Sequence, residues 1–465
     1  MKITVDETSS DDFIQRIDVS GPRYTSYPTV DRFVEAFSVS EYAQALNLRR
    51  VRAAVMAQPL SIYVHIPFCK SLCYYCACNK IITKQHARSA PYLRYLSREV
   101  DLHTARLGIG ESVSQLHLGG GSPTFLSDAE LREFMAMLRR NFVFSSKGDY
   151  SIEIDPRTVD ADRLNTLADL GFNRLSICIQ DFDPIVQKAV HRVQAAEMVL
   201  SLVEAARQRG FDSINIDLIY GLPLQSPESF DRTLLQVIAL RPERIALFAY
   251  EHCPERFKPQ RKIVVAELPG DLAKADMRSR SIAAFLAAGY VHLGIDHFAL
   301  PTDSLAIAKR QGRLYRDIQG FRTQPDCDLI GLGVSSISRI GATYSQNSKI
   351  LADYFDSIDQ GLFPVVRGLG LSRDDLVRRA VIMSFICHGE VLFESIELAH
   401  LLVFKKYFAS ELEALKTMVA DGLVTFNDHG IELTPIGVHS VRAVAMVFDR
   451  YLQSDLTRAR FSKII

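Results

Sequence analysis

Residues 61 to 80 read SIYVHIPFCKSLCYYCACNK, an alternating apolar run that ends at Pro67 and is followed by four cysteines within ten residues. The alternation predicts a strand, and the cysteines predict a metal-binding loop at its end. Cys69, Cys73 and Cys76 are spaced C-x3-C-x2-C, which lets three thiolates converge on one inorganic core while supplying three of the four ligands of a [4Fe-4S] cluster. One iron is then open to a ligand, which suits chemistry better than electron storage. Cys78, one residue beyond Cys76 and Ala77, is expected to point to the opposite side of an extended segment and so to stay off the cluster. The plainer alternatives are a structural zinc site and a disulfide. Zinc usually takes paired C-x2-C arms or histidine partners, and the sequence has no second pair.

Composition narrows the class. The chain has 465 residues, 48% of them apolar, enough to bury a large core and to form two or three domains. Lys plus Arg and Asp plus Glu both total 54, so no basic excess points to nucleic acid. No run of about 18 apolar residues predicts a membrane span. The N-terminus, MKITVDETSSDDF, is acidic and polar where a signal peptide would be basic and then apolar, so a cytoplasmic protein is expected. Cys178, Cys253, Cys327 and Cys387 are scattered singly, as expected of core thiols in a reducing compartment.

From residue 61 to about 341 strands and helices alternate. Strands are predicted at 61–66, 113–118, 150–154, 174–179, 213–219 and 244–250. Helices are predicted at 91–107, 127–141, 160–170, 194–209 and 227–239, the second opened by Ser127 with Glu130 three residues on. Such alternation means parallel strands with crossover helices, hence an α/β barrel or partial barrel, and six units fit better than eight. Stretches 291–299 and 328–338 are further strand candidates that extend or edge the sheet. Polar residues cluster at the strands' C-terminal ends, where such barrels place chemistry. Gly119, Gly120 and Gly121, followed by Ser122 and Pro123, end the second strand; they allow close backbone approach to a ligand, although a mobile turn is the simpler account. Glu153, Gln180, Arg192 and Asp217 are further strand-end polar groups. A salt bridge for Glu153, a surface ion pair for Arg192 and a helix cap for Asp217 are the competing explanations.

The stretch Y-V-H-I-P-F-C-x-x-x-C-x-Y-C-x-C-N-K resembles the radical SAM enzymes and, within them, the oxygen-independent coproporphyrinogen III oxidases. The similarity runs over nearly the whole chain, to FSKII at 461–465. It implies a partial (β/α)6-type radical SAM barrel at residues 59–364 and an N-terminal arm, residues 1–58, folded over the active site. It implies Cys69, Cys73 and Cys76 as cluster ligands, with Tyr75 at the family's aromatic position. It places Gly120, Gly121 and Ser122 of GGGSP at the methionine end of S-adenosylmethionine. Tyr63, Glu153, Gln180, Arg192 and Asp217 are implied as further cofactor contacts, with Glu251 and Ile337 near a second S-adenosylmethionine. His65 is expected on the face opposite Tyr63, in the core. The segment GPRYTSYPT at 21–29 is similar to the family's arm, which makes Arg23 and Tyr24 candidate substrate contacts, Arg23 through a carboxylate.

The implied activity is anaerobic conversion of two propionates of coproporphyrinogen III to vinyls, giving protoporphyrinogen IX in heme synthesis. A 5'-deoxyadenosyl radical made from S-adenosylmethionine does the hydrogen abstraction, and the protein positions the propionate and excludes water. A monomer served by an electron donor such as flavodoxin or ferredoxin is expected. The chain departs from the family pattern at FAYEHCP, 248–254, where Ala249 replaces an expected Asn and Glu251 a small residue. A carboxylate beside a substrate bearing four carboxylates is unexpected. A radical SAM enzyme redirected to another substrate, by methyl transfer, cyclopropanation or heme breakdown, is one rival reading. A non-catalytic heme-binding relative is the other, against which the C-x-C extension and the arm both speak.

Residues 365–465 change character. Helices are predicted at 373–387 and 395–420, then two short strands about the turn NDHG, then a helix from Pro435. The arrangement is winged-helix-like, but basic residues are not gathered on the candidate recognition helix, so DNA binding is not expected.

Overall fold

The computed structural model describes residues 21–56, 58–323 and 327–453; the first 20 residues of the arm and the FSKII segment lie outside the described residues. Two compact units result. One comprises Phe33–Gly289 and Asp326–Gly370, and the other the described parts of Met1–Arg32, Tyr290–Pro325 and Leu371–Ile465.

The first unit carries ten strands of one sheet: β1 (Leu60–Ile66), β2 (Glu111–Gly120), β3 (Phe142–Ile154), β4 (Arg174–Gln180), β5 (Ser213–Tyr220), β6 (Arg244–Ala249), β7 (Leu329–Leu332), β8 (Ile337–Ile340), β9 (Thr343–Asn347) and β10 (Val365–Gly370). Their order is β10-β9-β8-β7-β1-β2-β3-β4-β5-β6. Strands β7 and β1 to β6 pair in parallel, while β8, β9 and β10 are antiparallel. Its helices include α1 (Val39–Ala53), α2 (Ser89–Leu107), α3 (Asp128–Asn141), α4 (Ala161–Asp169), α5 (Ala196–Gln208) and α6 (Pro227–Leu240), with Pro184–Ala189, Asp271–Ala287 and Leu351–Asp359 besides. All six predicted strands and five crossover helices are present. Ser127 and Glu130 close the predicted capping box on α3, the Ser127 amide donating to Glu130 Oε2 at 2.7 Å.

Alternation gives the sheet its two characters. Ile214, Ile216 and Leu218 of β5 are fully buried, each contributing about 1.5–3 kcal/mol of transfer free energy. The residues between them face the other way. Asp217 accepts from Ser176 Oγ at 3.1 Å, Cys178 Sγ at 3.4 Å and Asn215 Nδ2 at 2.8 Å, a polar network across β4 and β5.

Three expectations need correction. Helix α1 lies where no element was predicted; Ser38 and Glu41 cap it, and its Arg49 is buried against Glu111 at 2.8 Å and Asp328 at 3.3 Å. Stretch 328–338 is two antiparallel strands, β7 and β8, because Gly333 (φ +94°) and Ser335 (φ +64°) turn the chain between them. A Cβ at Gly333 would stand 2.3 Å from the Tyr92 hydroxyl. The single helix predicted at 395–420 is broken into Phe393–His400, Phe404–Tyr407 and Ala409–Ala420. Leu401 is left-handed (φ +53°), and Glu397 Oε1 accepts from the Phe404 amide at 2.7 Å, ending one helix and opening the next.

The second unit buries Val377, Val381, Ile382 and Phe385 of the helix Arg373–His388 with Phe393, Phe404, Phe408 and Phe448. Phe393 stacks on Phe404 with ring centroids 4.4 Å apart. Strands Glu390–Leu392, Gly430–Leu433 and Val424–Phe426 form its antiparallel wing, the first of them not predicted. Stretch 291–299 is the hairpin Val291–Gly294 and His297–Ala299. Residues 21–32 belong to this unit, and Tyr24 and Tyr27 are buried in its core.

Within the first unit, α2 carries a buried acid. Glu99 receives the Gly333 amide at 2.7 Å, Asn347 Nδ2 at 2.7 Å and the Tyr354 hydroxyl at 2.6 Å. Burial raises its pKa to about 7 although all three bonds favour the anion. The folded state therefore holds this proton longer than the unfolded chain, so the stability Glu99 confers falls as pH rises from about 4.5 toward 7. Glu99→Gln turns one acceptor into a donor facing donors and should cost about 1–3 kcal/mol at pH 5. The gap from wild type should narrow toward pH 8. Denaturation midpoints at the two pH values check this; a gap that widens with pH would sink the assignment.

Candidate active site

The cysteine loop begins where β1 ends and is fastened on three sides. The Ile81 amide donates to Pro67 O at 2.7 Å, Thr83 to Cys69 O at 2.9 Å, and Tyr74 to Val190 O at 3.0 Å. Tyr74 also stacks on His191, with centroids 5.1 Å apart. Next to it, the Gly121 amide donates to Ile66 O at 2.8 Å. A side chain at Gly121 would place Cβ 2.6 Å from Pro67 O and 3.0 Å from Cys69 Sγ. The glycines at the end of β2 therefore exist for close approach.

Cys69, Cys73 and Cys76 line a cavity of about 320 Å³ together with Gly120, Gly121, Ser122, Tyr75, Glu153, Gln180 and Arg192. Ten predicted site residues thus meet in one place. Asp217 lies one contact away, through Cys178. Tyr63 is linked through its stacking on His117 (5.8 Å), which approaches Glu153 Oε1 at 3.3 Å. Glu251 and Ile337 are not among the residues lining this cavity. Glu251 Oε1 instead accepts from Cys253 Sγ at 3.4 Å. In the other unit Tyr24 is buried and donates to Asp449 Oδ2 at 3.0 Å, while Arg23 is half-buried.

Two side-chain directions differ from expectation for one reason. Residues two apart on extended backbone share a face. The Tyr63 hydroxyl accordingly lies 3.1 Å from His65 Nδ1, not on the opposite face, and Cys78 lines the same cavity as Cys76.

Electrostatics single out Cys73. Arg192 Nη1 lies 3.5 Å from its sulfur and Arg157 Nη2 3.9 Å. Asp155 holds Arg157 at 2.6 Å and draws Arg192 to 3.6 Å. Burial alone would raise the Asp155 carboxyl; the hydrogen bond from Arg157 and the charge of Arg192 outweigh it and hold the group below its ordinary value. Asp155 and Arg157 were missed in the sequence, where the signal was D-P-R directly after the strand that ends at Ile154. Asp217, by contrast, is pushed up to about 6 by burial and by the nearby charge of Glu153.

A model of the Radical SAM superfamily matches residues 63–237, and one of the HemN C-terminal domain matches residues 371–439. The chain is 51% identical over 456 residues to the oxygen-independent coproporphyrinogen III oxidase of Pseudomonas aeruginosa, covering 98% of each chain. It is 46% identical over 452 residues to the protein of the same name from Escherichia coli, covering 97% of each. The chain belongs to the oxygen-independent coproporphyrinogen III oxidases. The solved structure of coproporphyrinogen III oxidase (HemN) from Escherichia coli, itself a radical SAM enzyme, matches with a TM-score of 0.90 at 44% identity, over 97% of this chain and 100% of that one.

Membership of this radical SAM family implies a [4Fe-4S] cluster and S-adenosylmethionine, and the residues fit both. All eight cysteines are free thiols, which removes the disulfide alternative. Among the described residues no three His, Cys, Asp or Glu side chains converge on a single metal ion, as zinc would need. A cluster asks for wider spacing, because each thiolate takes a different iron. Gln180 is held at φ +71° in the cavity wall, and its buried Oε1 has no hydrogen-bond partner among the described residues. An acceptor in that state suits a ligand that donates, such as an ammonium group. The carboxylate of Glu153 in the cavity wall likewise suits a cationic ligand.

Replacing Cys69, Cys73 or Cys76 by Ser should abolish the cluster's absorbance near about 400 nm and all cleavage of S-adenosylmethionine, whereas Cys78→Ser should keep the cluster. Iron content and visible spectra of the anaerobically reconstituted variants check this. Retention of the cluster in Cys73→Ser, or its loss in Cys78→Ser, would overturn the ligand assignment.

Proposed function

We propose that this chain converts two propionates of coproporphyrinogen III to vinyls without oxygen, giving protoporphyrinogen IX for heme synthesis. The observation that carries this is a three-thiolate loop closing a cavity walled by Gly121, Glu153 and Gln180, in a chain similar over its full length to coproporphyrinogen III oxidases. When bound, the cluster and S-adenosylmethionine supply hydrogen-atom abstraction after cleavage of the S-C5' bond. The chain's own residues bind and orient. Cys69, Cys73 and Cys76 hold iron, and Arg157 and Arg192 offset the negative charge gathered at Cys73. Gly120, Gly121 and Ser122 give the cofactor's amino-acid end a wall without bulk. Glu153 and Asp217 offer negative charge to its cationic centres, and Gln180 offers an unfilled acceptor. The described side chains of the cavity include no histidine; the substrate radical would lose carbon dioxide and one electron, the electron passing to an external one-electron acceptor, and this asks for no protein acid or base.

A second S-adenosylmethionine beside Glu251 and Ile337, a flavodoxin or ferredoxin as donor, a monomeric state and a cytoplasmic location belong to the same proposal. No helix among the described residues is long and apolar enough to cross a membrane. The departures at Ala249 and Glu251 are what favour a redirected enzyme. The Cys253 thiol already faces the Glu251 carboxylate, and that side chain does not line the cavity, so it presents no charge to a substrate there.

The test is an anaerobic assay of the reconstituted protein with coproporphyrinogen III. Wild type should form protoporphyrinogen IX with release of carbon dioxide and 5'-deoxyadenosine, and Glu251→Ala should change turnover by less than about threefold, the cost of losing an exposed or weakly paired charge. A wild type that makes 5'-deoxyadenosine but no product, with product appearing only in Ala249→Asn/Glu251→Ala, would show a different substrate.

A further inference from the structure

Three segments that meet at the cysteine loop carry an excess of positive charge. They read KSLCYY at 70–75, KAVHRV at 188–193 and RFKPQRKI at 256–263, with seven Lys or Arg residues and no Asp or Glu, in a chain whose formal charge is zero. Glu255 borders the third segment and leaves the local balance strongly positive. Of the seven cations Arg192 is buried and the other six are exposed. Tyr74 ties the segments into one face. Its amide donates to Val190 O at 3.0 Å, its ring stacks on His191, and Lys262 Nζ sits 5.1 Å from its ring centroid. His191 Nδ1 lies 2.7 Å from Leu72 O, and Gln260 Nε2 donates to Tyr75 O at 3.2 Å. Among the described residues Lys70, Lys188, Lys258 and Lys262 form no ion pair, so their charge is left for a partner.

The face lies outside the cavity but next to a residue that binds iron. Lys70 and Arg192 line the cavity, whereas Tyr74, Lys188, His191, Lys258, Arg261 and Lys262 do not, so the charge of these lysines is not spent on a ligand bound inside. Yet Tyr74 directly follows Cys73, and His191 directly precedes Arg192, whose Nη1 is 3.5 Å from Cys73 Sγ. Half-buried Tyr74, exposed His191 and Val193, which is 58% exposed, give the face an aromatic and apolar centre, and the lysines give it a charged rim. Transient protein interfaces have that make-up, and electron-transfer encounters are small and steered by charge. We propose that this face docks a small acidic protein that carries one electron. This rests on the functional reading above, which calls for an outside reductant. At each encounter the reduced carrier loses one electron, and the iron group held by Cys69, Cys73 and Cys76 gains it. No bond forms or breaks, and no proton moves.

The test uses the reconstituted holoenzyme and, as probe, a purified acidic flavodoxin. Wild type should bind reduced flavodoxin, more weakly as salt rises from about 0.05 M to about 0.5 M. Lys188→Glu/Lys262→Glu should weaken that binding, and slow reduction of the cluster by flavodoxin, by about tenfold or more. Lys188→Gln/Lys262→Gln should do so by less, and carries the test alone if the charge reversal unfolds the chain. Reduction by dithionite, which needs no docking, should be unchanged in both variants, as should the absorbance near about 400 nm. A matched reversal of two exposed arginines on α2 and α3, Arg94→Glu/Arg140→Glu, should leave flavodoxin binding within about twofold of wild type. Equal binding and reduction in wild type and the lysine variants, or an equal loss in the arginine control, would overturn the proposal. So would a loss confined to affinity for coproporphyrin III, which would make the face a collector of anionic substrate. Wild type reduced by dithionite separates the two readings. Formation of protoporphyrinogen IX with no binding of flavodoxin removes the docking face alone. Reduction by flavodoxin that fails in Lys188→Glu/Lys262→Glu, with S-adenosylmethionine cleaved but no porphyrin product, upholds the face and removes the substrate reading.

Discussion

Pro67 and Gly121 bring two backbones closer than side-chain-bearing residues can come, and the rest of the site depends on that approach. The Gly121 amide reaches Ile66 O at 2.8 Å, and any Cβ there would meet Pro67 O at 2.6 Å. With β1 and β2 in parallel register up to Ile66 and Gly120, the cysteine loop has to leave the sheet directly over the glycine end of its neighbour. The cysteines therefore sit beside the backbone that the GGGSP segment offers to a ligand. Fold and site are one constraint here, since a bulkier strand end would push the loop off the cavity it closes.

The second constraint is charge. Cys69, Cys73, Cys76, Glu153 and Asp155 line one cavity, with Asp217 one contact behind it through Cys178, in a low-dielectric setting that raises the cost of every anion. The protein answers at one end only. Arg157 and Arg192 sit at Cys73, and Lys80 Nζ donates to Cys76 O at 2.9 Å. Among the described residues no cation pairs with Asp217, whose carboxyl is pushed up to about 6 by burial and by the charge of Glu153. The uncompensated end is where a sulfonium and an ammonium would be most welcome.

Much of this could be read in the sequence because parallel strands and crossover helices impose strong periods, and because cysteine spacing states its own chemistry. The Ser127–Glu130 capping box came from local pattern, whereas Glu153, Gln180 and Arg192 showed only as strand-end polar groups until the family resemblance marked them; the structure brings those three to the cavity. What was missed was not local. Arg157 is one of many arginines until β3 and the cysteine loop are folded together. Helix α1 has weak amphipathic contrast, and its buried Arg49 depends on Glu111 and Asp328, distant in the chain. The faces of His65 and Cys78 were misread by a simple slip of period, since residues two apart on extended chain lie on the same side.

Satisfaction of buried polar atoms separates structural from ligand-directed groups, provided position is read with it. Glu99 is as buried as any polar residue in the first unit, yet three donors complete it, and it has nothing left to offer a ligand. Ser61 and Ser114 have hydroxyls without a partner, but they lie on strands away from the cavity lining, where a hydroxyl can be left unpaired at modest cost. Gln180 combines an unfilled acceptor, strained backbone and a place in the cavity wall. Backbone strain and an empty hydrogen bond at one residue are two separate costs, and a fold retains both only where something outside the chain offsets them. That makes Gln180 a stronger pointer to the ligand than Glu153, whose carboxylate already has the Gly120 amide at 3.2 Å.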